Sequence, residues 1–399
     1  MNRFPRLLVA TEFAPNAPGG GPAVVRQMLK EWPVANLFWW SCLPEPDSLF
    51  GQKVAAHRVA LIPRKLYPQR RWCGAKSWFL EHVWTPWAAR HFETTLDEFN
   101  PEAVWVIAHG WAIPPLARAL PRTGIGFHTT VQDYMDAKVY VARFGSGRSQ
   151  RLVALAEKLY SEATTRDATS QPMVADLEAR TGRTAGQILH AGLEAEDFAF
   201  LAGKKQSPAQ EIRIAYSGTI IVEEDFAWFA KLLDSVRPRL PVPVKLQFFG
   251  ARAPLRHWFN SGWMREHGLL AQEPLLNAMK ECTWGFVPMS MADDNPRYNR
   301  FSFPTKFISC LAAGLPLITM GHPESAVVQM ANTYRVGICL SSGEPDALAK
   351  ELLTGLSIKD PWERFKPEIL RCASSEFNAG QKRNRLYECL LTCARKRLA

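Results

Sequence analysis

Two short stretches carry the residue types that bind an anion. Gly19-Gly20-Gly21-Pro22 follows an apolar run and precedes a helical pattern. Its backbone amides can approach a ligand with no side chain in the way, and the helix start behind them adds partial positive charge. It matches neither the Gly-x-Gly-x-x-Gly dinucleotide pattern nor a Gly-Lys-Ser/Thr phosphate loop. Ser302-Phe303-Pro304-Thr305-Lys306 opens a second helical pattern. Ser302 or Thr305 suits a helix cap and Pro304 the first turn, whereas Lys306 falls in that turn, where the helix dipole disfavours a cation. A lysine there makes sense where a bound anion shares the site. The helix stops at Gly314, and Pro316 leads into a strand. Three further polar residues lie along or beyond apolar runs: His109 in Ala108-His109-Gly110-Trp111, and His128 and Asp133 in Phe127-His128-Thr129-Thr130-Val131-Gln132-Asp133-Tyr134. In a strand His128 shares a face with Gln132. Each histidine has a competing reading as a satisfied core residue.

The elements that must position these residues follow from composition and periodicity. The chain has 399 residues, 48 basic against 38 acidic for a net charge of +10, 47% apolar residues and 14 tryptophans. That is enough for two or three domains and excludes disorder, collagen and coiled coil as the main architecture. Apolar runs such as Leu311–Met320 are interrupted by Gly or Pro, so no membrane-spanning helix is expected. The amino-terminal residues lack a signal-peptide pattern, and the expected location is the cytoplasm. Eight cysteines without zinc or redox spacing are expected to be reduced and structural, Cys389 and Cys393 sharing a helix face.

Short apolar runs alternate with longer helical stretches throughout, the pattern of βαβ units around parallel sheets. Strands are predicted at Arg6–Thr11, Leu37–Ser41, Ala103–Ala108, Ile125–Gln132 and Asp167–Ser170. A polar stretch at Ala202–Gln210 reads as a linker. Beyond it, Ile212–Ser217, Lys245–Phe249, Trp284–Pro288, Leu315–Met320 and Gly337–Leu340 form a second series. The fold class is α/β: two doubly wound, Rossmann-like domains facing each other across a cleft, ligands binding beyond the carboxyl ends of the strands. The expected divisions are 1–203, 204–378 and a final helix over 379–399.

Phe303–Pro316 resembles the Phe-Pro-x-Lys, Leu-Ala-Ala-Gly-x-Pro segment of retaining glycosyltransferases with the GT-B fold, especially glycosyltransferase family 4. Gly19–Gly21, Ile188–Leu193, Tyr216-Ser217-Gly218, Phe248-Phe249-Gly250 and Leu275–Pro288 resemble further segments of that family in the expected order. The resemblance implies transfer of a sugar from a nucleotide-sugar to an acceptor hydroxyl with retention, in cell-surface polysaccharide or glycoconjugate synthesis. It implies no metal and no cofactor, the nucleotide-sugar being a substrate, and a last helix that crosses back to the first domain. It places Lys306 and the amides near Gly20, Gly21 and Thr305 against the leaving diphosphate, with Gly218, Phe303, Pro304 and Ser309 in the donor site. His128, Asp133 and His109 are the candidates for orienting the acceptor hydroxyl or the sugar. Gln132 stands where the family has His, and Asp133 keeps the family's Asp.

Departures are equally specific. The family's two glutamates are replaced by Phe301 and Ser309, and its Arg and Lys after the first donor-domain strand by Thr219-Ile220-Ile221-Val222-Glu223-Glu224. Arg252, Arg297 and Arg300 are the candidates for the missing positive charge. Asp293-Asp294 resembles the metal-holding carboxylate pair of other sugar transferases, in a loop for which this fold needs no metal. A sugar-nucleotide epimerase or an inactive transferase-like partner protein is the alternative on the same fold.

Between Lys53 and Phe92, Arg58, Arg64, Lys65, Arg70, Arg71, Lys76 and Arg90 are interleaved with Tyr67, Trp72, Trp78, Phe79, Trp84 and Trp87. Such a mixture suits an anionic membrane surface, and a peripheral protein using a saccharide or lipid-linked saccharide acceptor is expected. The rival is a tryptophan core with a solvated basic rim. No nucleic-acid motif accompanies these residues, and nucleic acid is not expected as a partner.

Overall fold

The computed structural model describes residues 4–45, 54–63, 73–205, 210–220, 223–250, 252–292, 294–341 and 343–396. Lys53, Arg64, Lys65, Tyr67, Arg70, Arg71 and Trp72 of the basic segment, together with Ile221, Val222 and Asp293, lie outside the described residues. The chain divides into two compact units, the first formed by Met1–His190 with Gln381–Ala399 and the second by Ala191–Gly380.

The apolar runs of the first unit form β1 (Leu7–Thr11), β2 (Leu37–Ser41), β3 (Ala56–Val59), β4 (Ala103–Ile107), β5 (Phe127–Val131), β6 (Thr165–Ala168) and β7 (Gln187–Ile188). They make one parallel sheet in the order β3-β2-β1-β4-β5-β6-β7. Leu7 pairs with Leu37 on one side and Ala103 on the other. Every residue of β1, β4 and β5 is buried, as expected for strands covered on both faces. The chain runs outward from β1 to β3 and then resumes on the other side at β4. This reversal opens a crevice at the carboxyl ends of β1 and β4, the place where doubly wound sheets bind ligands.

In the second unit, β8 (Ile212–Ser217), β9 (Val244–Phe249), β10 (Met264–Glu266), β11 (Trp284–Pro288), β12 (Leu317–Met320) and β13 (Gly337–Leu340) form a parallel sheet ordered β10-β9-β8-β11-β12-β13. Here the order reverses between β8 and β11. Its core is aromatic: Phe229 stacks on Phe286 at 3.8 Å between centroids, and Phe226 meets Tyr216 edge-on at 4.7 Å. Both sheets are thus doubly wound, as the alternation of apolar runs predicts.

The last helix, Ala379–Lys396, belongs to the first unit from Gln381 onward. Its Leu386 and Leu390 are buried, Tyr387 packs against Phe4 and Trp32, and Arg383 pairs with Glu31 at 3.0 Å. The helix backbone comes so near β5 that a Cβ on Gly126 would lie 2.2 Å from the Cys393 carbonyl. Seven cysteines, Cys42, Cys282, Cys310, Cys339, Cys372, Cys389 and Cys393, are free thiols. Among the described residues no helix is long and apolar enough to cross a membrane.

The strands expected at Arg6–Thr11, Ala103–Ala108, Ile125–Gln132 and Lys245–Phe249 differ from the observed ones by one or two residues at their ends, and two more differ for identifiable local reasons. Asp167–Ser170 shifts to Thr165–Ala168 because Ser170 is spent as a helix cap, its hydroxyl accepting from the Met173 amide at 3.2 Å. Leu315–Met320 contracts to Leu317–Met320, since Gly314 is left-handed (φ +65°) and Pro316 has no amide to give to a ladder.

Candidate active site

In the first unit the site grows from three strand ends that are neighbours in the sheet. Glu12 directly follows β1, His109 lies two residues beyond β4, and Asp133 lies two residues beyond β5. Glu12 is 3% exposed. Arg143 donates to its Oε1 at 2.8 Å, the Trp111 amide donates to the same oxygen at 3.0 Å, and His109 Nδ1 lies 3.0 Å from Oε2. Burial alone pushes this carboxyl up, but Arg143, His109 and the Trp111 amide outweigh it and hold it at about 2. Gly110 makes the approach possible. Its φ is +52°, and a Cβ there would lie 2.3 Å from the Glu12 carboxyl.

His109 carries the network onward. Its Nε2 lies 3.1 Å from the Tyr140 hydroxyl, which donates to Asp133 Oδ2 at 3.2 Å. Tyr140 and Arg143 are three residues apart on the helix Lys138–Phe144, so both reach the same side of the sheet. The structure therefore brings His109 and Asp133 together through Tyr140. The glycine loop approaches the same strand end: a Cβ on Gly21 would lie 2.6 Å from Gln132 Oε1, and Gly20 opens the helix Gly20–Met28 beside it.

His128 sits elsewhere in the unit. It is fully buried within β5, its Nε2 lying 2.8 Å from Asp167 Oδ2 and its Nδ1 2.9 Å from Thr165 Oγ1. Thr165 in turn touches Cys393 Sγ at 3.2 Å. Burial works against the imidazolium, yet the charge and hydrogen bond of Asp167 raise the ring to about 9. Both ring nitrogens are occupied inside the core, beneath the last helix.

In the second unit β8 and β9 end side by side in Gly218 and Gly250, both at φ +91°, and the Gly218 amide donates to Phe249 O at 2.8 Å. Neither glycine puts a Cβ at the ends of these two strands. The helix Thr305–Ala312 begins nearby, with Pro304 at its cap position and no acid in its first turn. Lys306 Nζ donates to the Tyr216 hydroxyl at 3.1 Å and stands 4.6 Å from the centre of the same ring, and Tyr216 donates to Thr219 O at 2.6 Å. The helix Glu223–Val236 after β8 instead carries Glu223, Glu224 and Asp225 in its first turn. Those carboxylates already complement its dipole and repel a further anion. Of these two helix starts, the Lys306 one is electrostatically suited to a phosphate.

The remaining expected donor residues are dispersed in role. Phe303 is 7% exposed and packs on Phe307 and Phe377, so it is part of the core under the helix start. Ser309 donates back to the Thr305 carbonyl at 3.3 Å. Arg300 pairs with Glu324 at 2.6 Å, and Arg252 is exposed before the turn Ala253–Leu255. Glu12, Tyr140, Arg143 and Tyr216 were not legible as site residues. The available signals were an acid following the apolar run Leu7–Ala10 and Thr11, and a Tyr and Arg three apart on one helix.

The described aromatic residues of the basic segment divide into two sets. Trp84 and Phe92 are buried, Trp84 donating to Leu61 O at 3.2 Å. On the continuous helical stretch Cys73–Phe99, Trp78, Phe79, Val83 and Trp87 are 59%, 37%, 44% and 49% exposed. Among the described residues no group of three His, Cys, Asp or Glu is arranged to hold a metal ion.

No family model and no curated protein sequence matches the chain. Solved structures do. Sucrose-phosphate synthase from Thermosynechococcus elongatus is similar with a TM-score of 0.68 at 15% identity, over 97% of this chain and 98% of that one. HepE from Anabaena, in complex with UDP and glucose, gives 0.67 at 13% identity over 97% and 100%. An α,α-trehalose-phosphate synthase (UDP-forming) from Burkholderia xenovorans, in complex with glucose-6-phosphate, gives 0.63 at 13% over the same shares. Likeness along nearly the whole chain, joined to two doubly wound parallel sheets, establishes the architecture: the chain has the two-Rossmann-domain GT-B fold.

Proposed function

We propose that the protein is a retaining glycosyltransferase that moves a sugar from a nucleotide-sugar to an acceptor hydroxyl. The observation that carries this reading is Lys306, an ammonium fixed by Tyr216 in the first turn of a helix free of acidic residues there, beside the glycine-ended strands β8 and β9. Departure of a nucleoside diphosphate is the difficult part of the reaction. Donors already aimed at the developing charge lower that barrier without reorganising when it forms. The amides of Thr305 and Lys306 and the ammonium of Lys306 supply them in the second unit. In the first unit, the His109–Tyr140–Asp133 group is the acceptor-orienting element, and His128 is assigned to the core. UDP in HepE and the UDP-forming reaction of the trehalose-phosphate synthase favour a uridine donor.

Thermal-shift measurement with UDP-, GDP- and ADP-sugars tests donor binding, with a UDP-sugar expected to raise the melting temperature most. Product analysis with and without acceptor then separates transfer from epimerisation. No shift with any nucleotide-sugar identifies an inert relative of the fold.

A second reading concerns the acceptor. Trp78, Phe79, Val83 and Trp87 present aromatic and apolar surface on one helical stretch, within a sequence segment rich in Arg and Lys. This favours a peripheral protein on the anionic, cytoplasmic membrane face and a lipid-linked saccharide acceptor, as in cell-surface polysaccharide synthesis. Flotation with anionic vesicles at low salt tests it, and absence of binding excludes it.

A further inference from the structure

We propose that the second unit carries a further ligand site, a cavity at the amino ends of β8, β9 and β11 that takes a small organic phosphate. The cavity has a volume of about 1150 Å³, and Arg213, Pro243 and Thr283, at or just before the starts of those strands, line it. Doubly wound sheets take their main ligand at the opposite, carboxyl ends, where Gly218 and Gly250 lie. The cavity is therefore separate from the proposed donor site, and it is large enough to hold a sugar phosphate or a nucleoside phosphate.

Charge selects the ligand. Of the described residues that line the cavity, Lys204, Lys205, Lys280 and Arg213 are cationic, and Glu211 and Glu281 are acidic. Glu211 is already engaged, with Arg213 at 2.5 Å and Lys245 at 2.8 Å. Three ammoniums then face one carboxylate. Two of them border the same ring, Lys280 Nζ at 4.3 Å and Lys204 Nζ at 5.7 Å from the centre of Phe200. Like charges gathered around one side chain repel each other, and an anion bound beside them offsets that repulsion.

Lys204 is held in place by several groups at once. Its Nζ donates to Ala313 O at 3.0 Å and to Gly314 O at 2.8 Å. The same Nζ lies 5.2 Å from the centre of the Trp362 ring, whose indole N–H donates to Lys204 O at 3.0 Å. Gly314 leaves room for it: its φ is +65°, and a Cβ there would lie 2.8 Å from Lys204 Cδ. Carbonyl dipoles and rings orient an ammonium without bringing a full negative charge, and burial lowers Lys204 to about 8. A phosphate in the cavity supplies the missing charge, with Asn277 and Glu281 available to the hydroxyls of its organic part. Ala313 and Gly314 directly follow the helix Thr305–Ala312, which has Lys306 in its first turn. Lys204 therefore grips the far end of the helix that carries Lys306, about 12 Å along it. One phosphate cannot reach both ends, so the two lysines serve different anions.

The test uses the full chain and pyridoxal 5′-phosphate, a phosphate that carries an aldehyde. The aldehyde condenses with an unprotonated lysine amine, water leaves, borohydride reduces the imine, and peptide mapping locates the label. Measured relative to the exposed Lys158, labelling at Lys204, Lys205 or Lys280 should be about tenfold faster with pyridoxal 5′-phosphate than with pyridoxal, which lacks the phosphate. Lys306→Ala should leave that preference unchanged, so the result stands whether or not the protein transfers a sugar. Glucose 6-phosphate and adenosine monophosphate are then compared as competitors, and the stronger one identifies the organic part as a sugar or a nucleoside. No preference over pyridoxal at any of the three lysines overturns the proposal. So does loss of the preference in a folded Lys306→Ala protein, or protection by inorganic phosphate as strong as that by either organic phosphate. If the variant does not fold, the wild-type labelling and competition decide alone.

Discussion

Glu12 and His128 are both fully buried ionisable residues, and their shifts set opposite edges to the stability profile. Glu12 lies at about 2 against an ordinary 4.5, so its contribution is present above 4.5 and is lost as pH falls toward 2. His128 lies at about 9 against 6.5, so its contribution is complete below 6.5 and is lost as pH rises through 9. Each shift corresponds to about 3 kcal/mol. Thermal melts across pH should therefore peak between 4.5 and 6.5, and the alkaline fall should flatten in His128→Gln. Gly110→Ala meets both a left-handed backbone and the Glu12 carboxyl at 2.3 Å. A loss of roughly 2 kcal/mol or more is expected by denaturant titration, and a substitution of the same kind at Gly124, which is left-handed with open space around it, should cost less. For the reaction itself, Lys306→Ala removes the one ammonium held at the helix start by Tyr216. Turnover should fall about 100-fold, and near-normal turnover would place the phosphate elsewhere.

At the scale of elements, what was legible in the sequence follows from burial. Leu37–Ser41 and Trp284–Pro288 were read at their observed bounds because parallel strands covered on both faces are mostly apolar runs, and Ile212–Ser217 and Gly337–Leu340 because their apolar residues stand out against polar or glycine flanks. The edge strands Ala56–Val59 and Met264–Glu266 were not, since they carry His57, Arg58, Arg265 and Glu266 and have no run to display, unlike the apolar edge strand Gly337–Leu340. The site shows the same division. Lys306 was legible because its cation stands against the helix dipole, whereas Glu12 has no motif and becomes meaningful only when β1 and β4 are adjacent in the sheet. The stretch Cys73–Phe99 contains a π-helical turn at Leu80–Trp84, which interrupts the 3.6-residue period just where Trp84 turns inward and Trp78 and Trp87 stay outside. Replacing both exposed tryptophans by glutamate should reduce flotation with anionic vesicles by about tenfold, with little change in melting temperature. A fall in melting temperature without loss of flotation would assign them to packing.

For the whole molecule, the surplus of ten positive charges divides between places of different kind. Some is fixed, as Lys306 on Tyr216 and Arg143 on Glu12, and some lies in the segment between Lys53 and Phe92. Raising salt should weaken vesicle binding far more than nucleotide binding, since exposed charges are screened within about 10 Å at 0.1 M. The last helix ties the carboxyl-terminal end of the chain to the first unit through Leu386, Tyr387 and Leu390. Deleting 381–399 should speed amide exchange throughout the first unit and leave the second unit's protection unchanged. The same arrangement sets an order during synthesis. Residues 191–380 form a continuous unit that is complete as soon as it leaves the ribosome, but the first unit must wait for a helix made after all of it. At typical elongation rates that delay is about 10 to 40 s, during which Phe4 and Trp32 have no Tyr387 to pack against. The amino-terminal half is thus begun first and completed last.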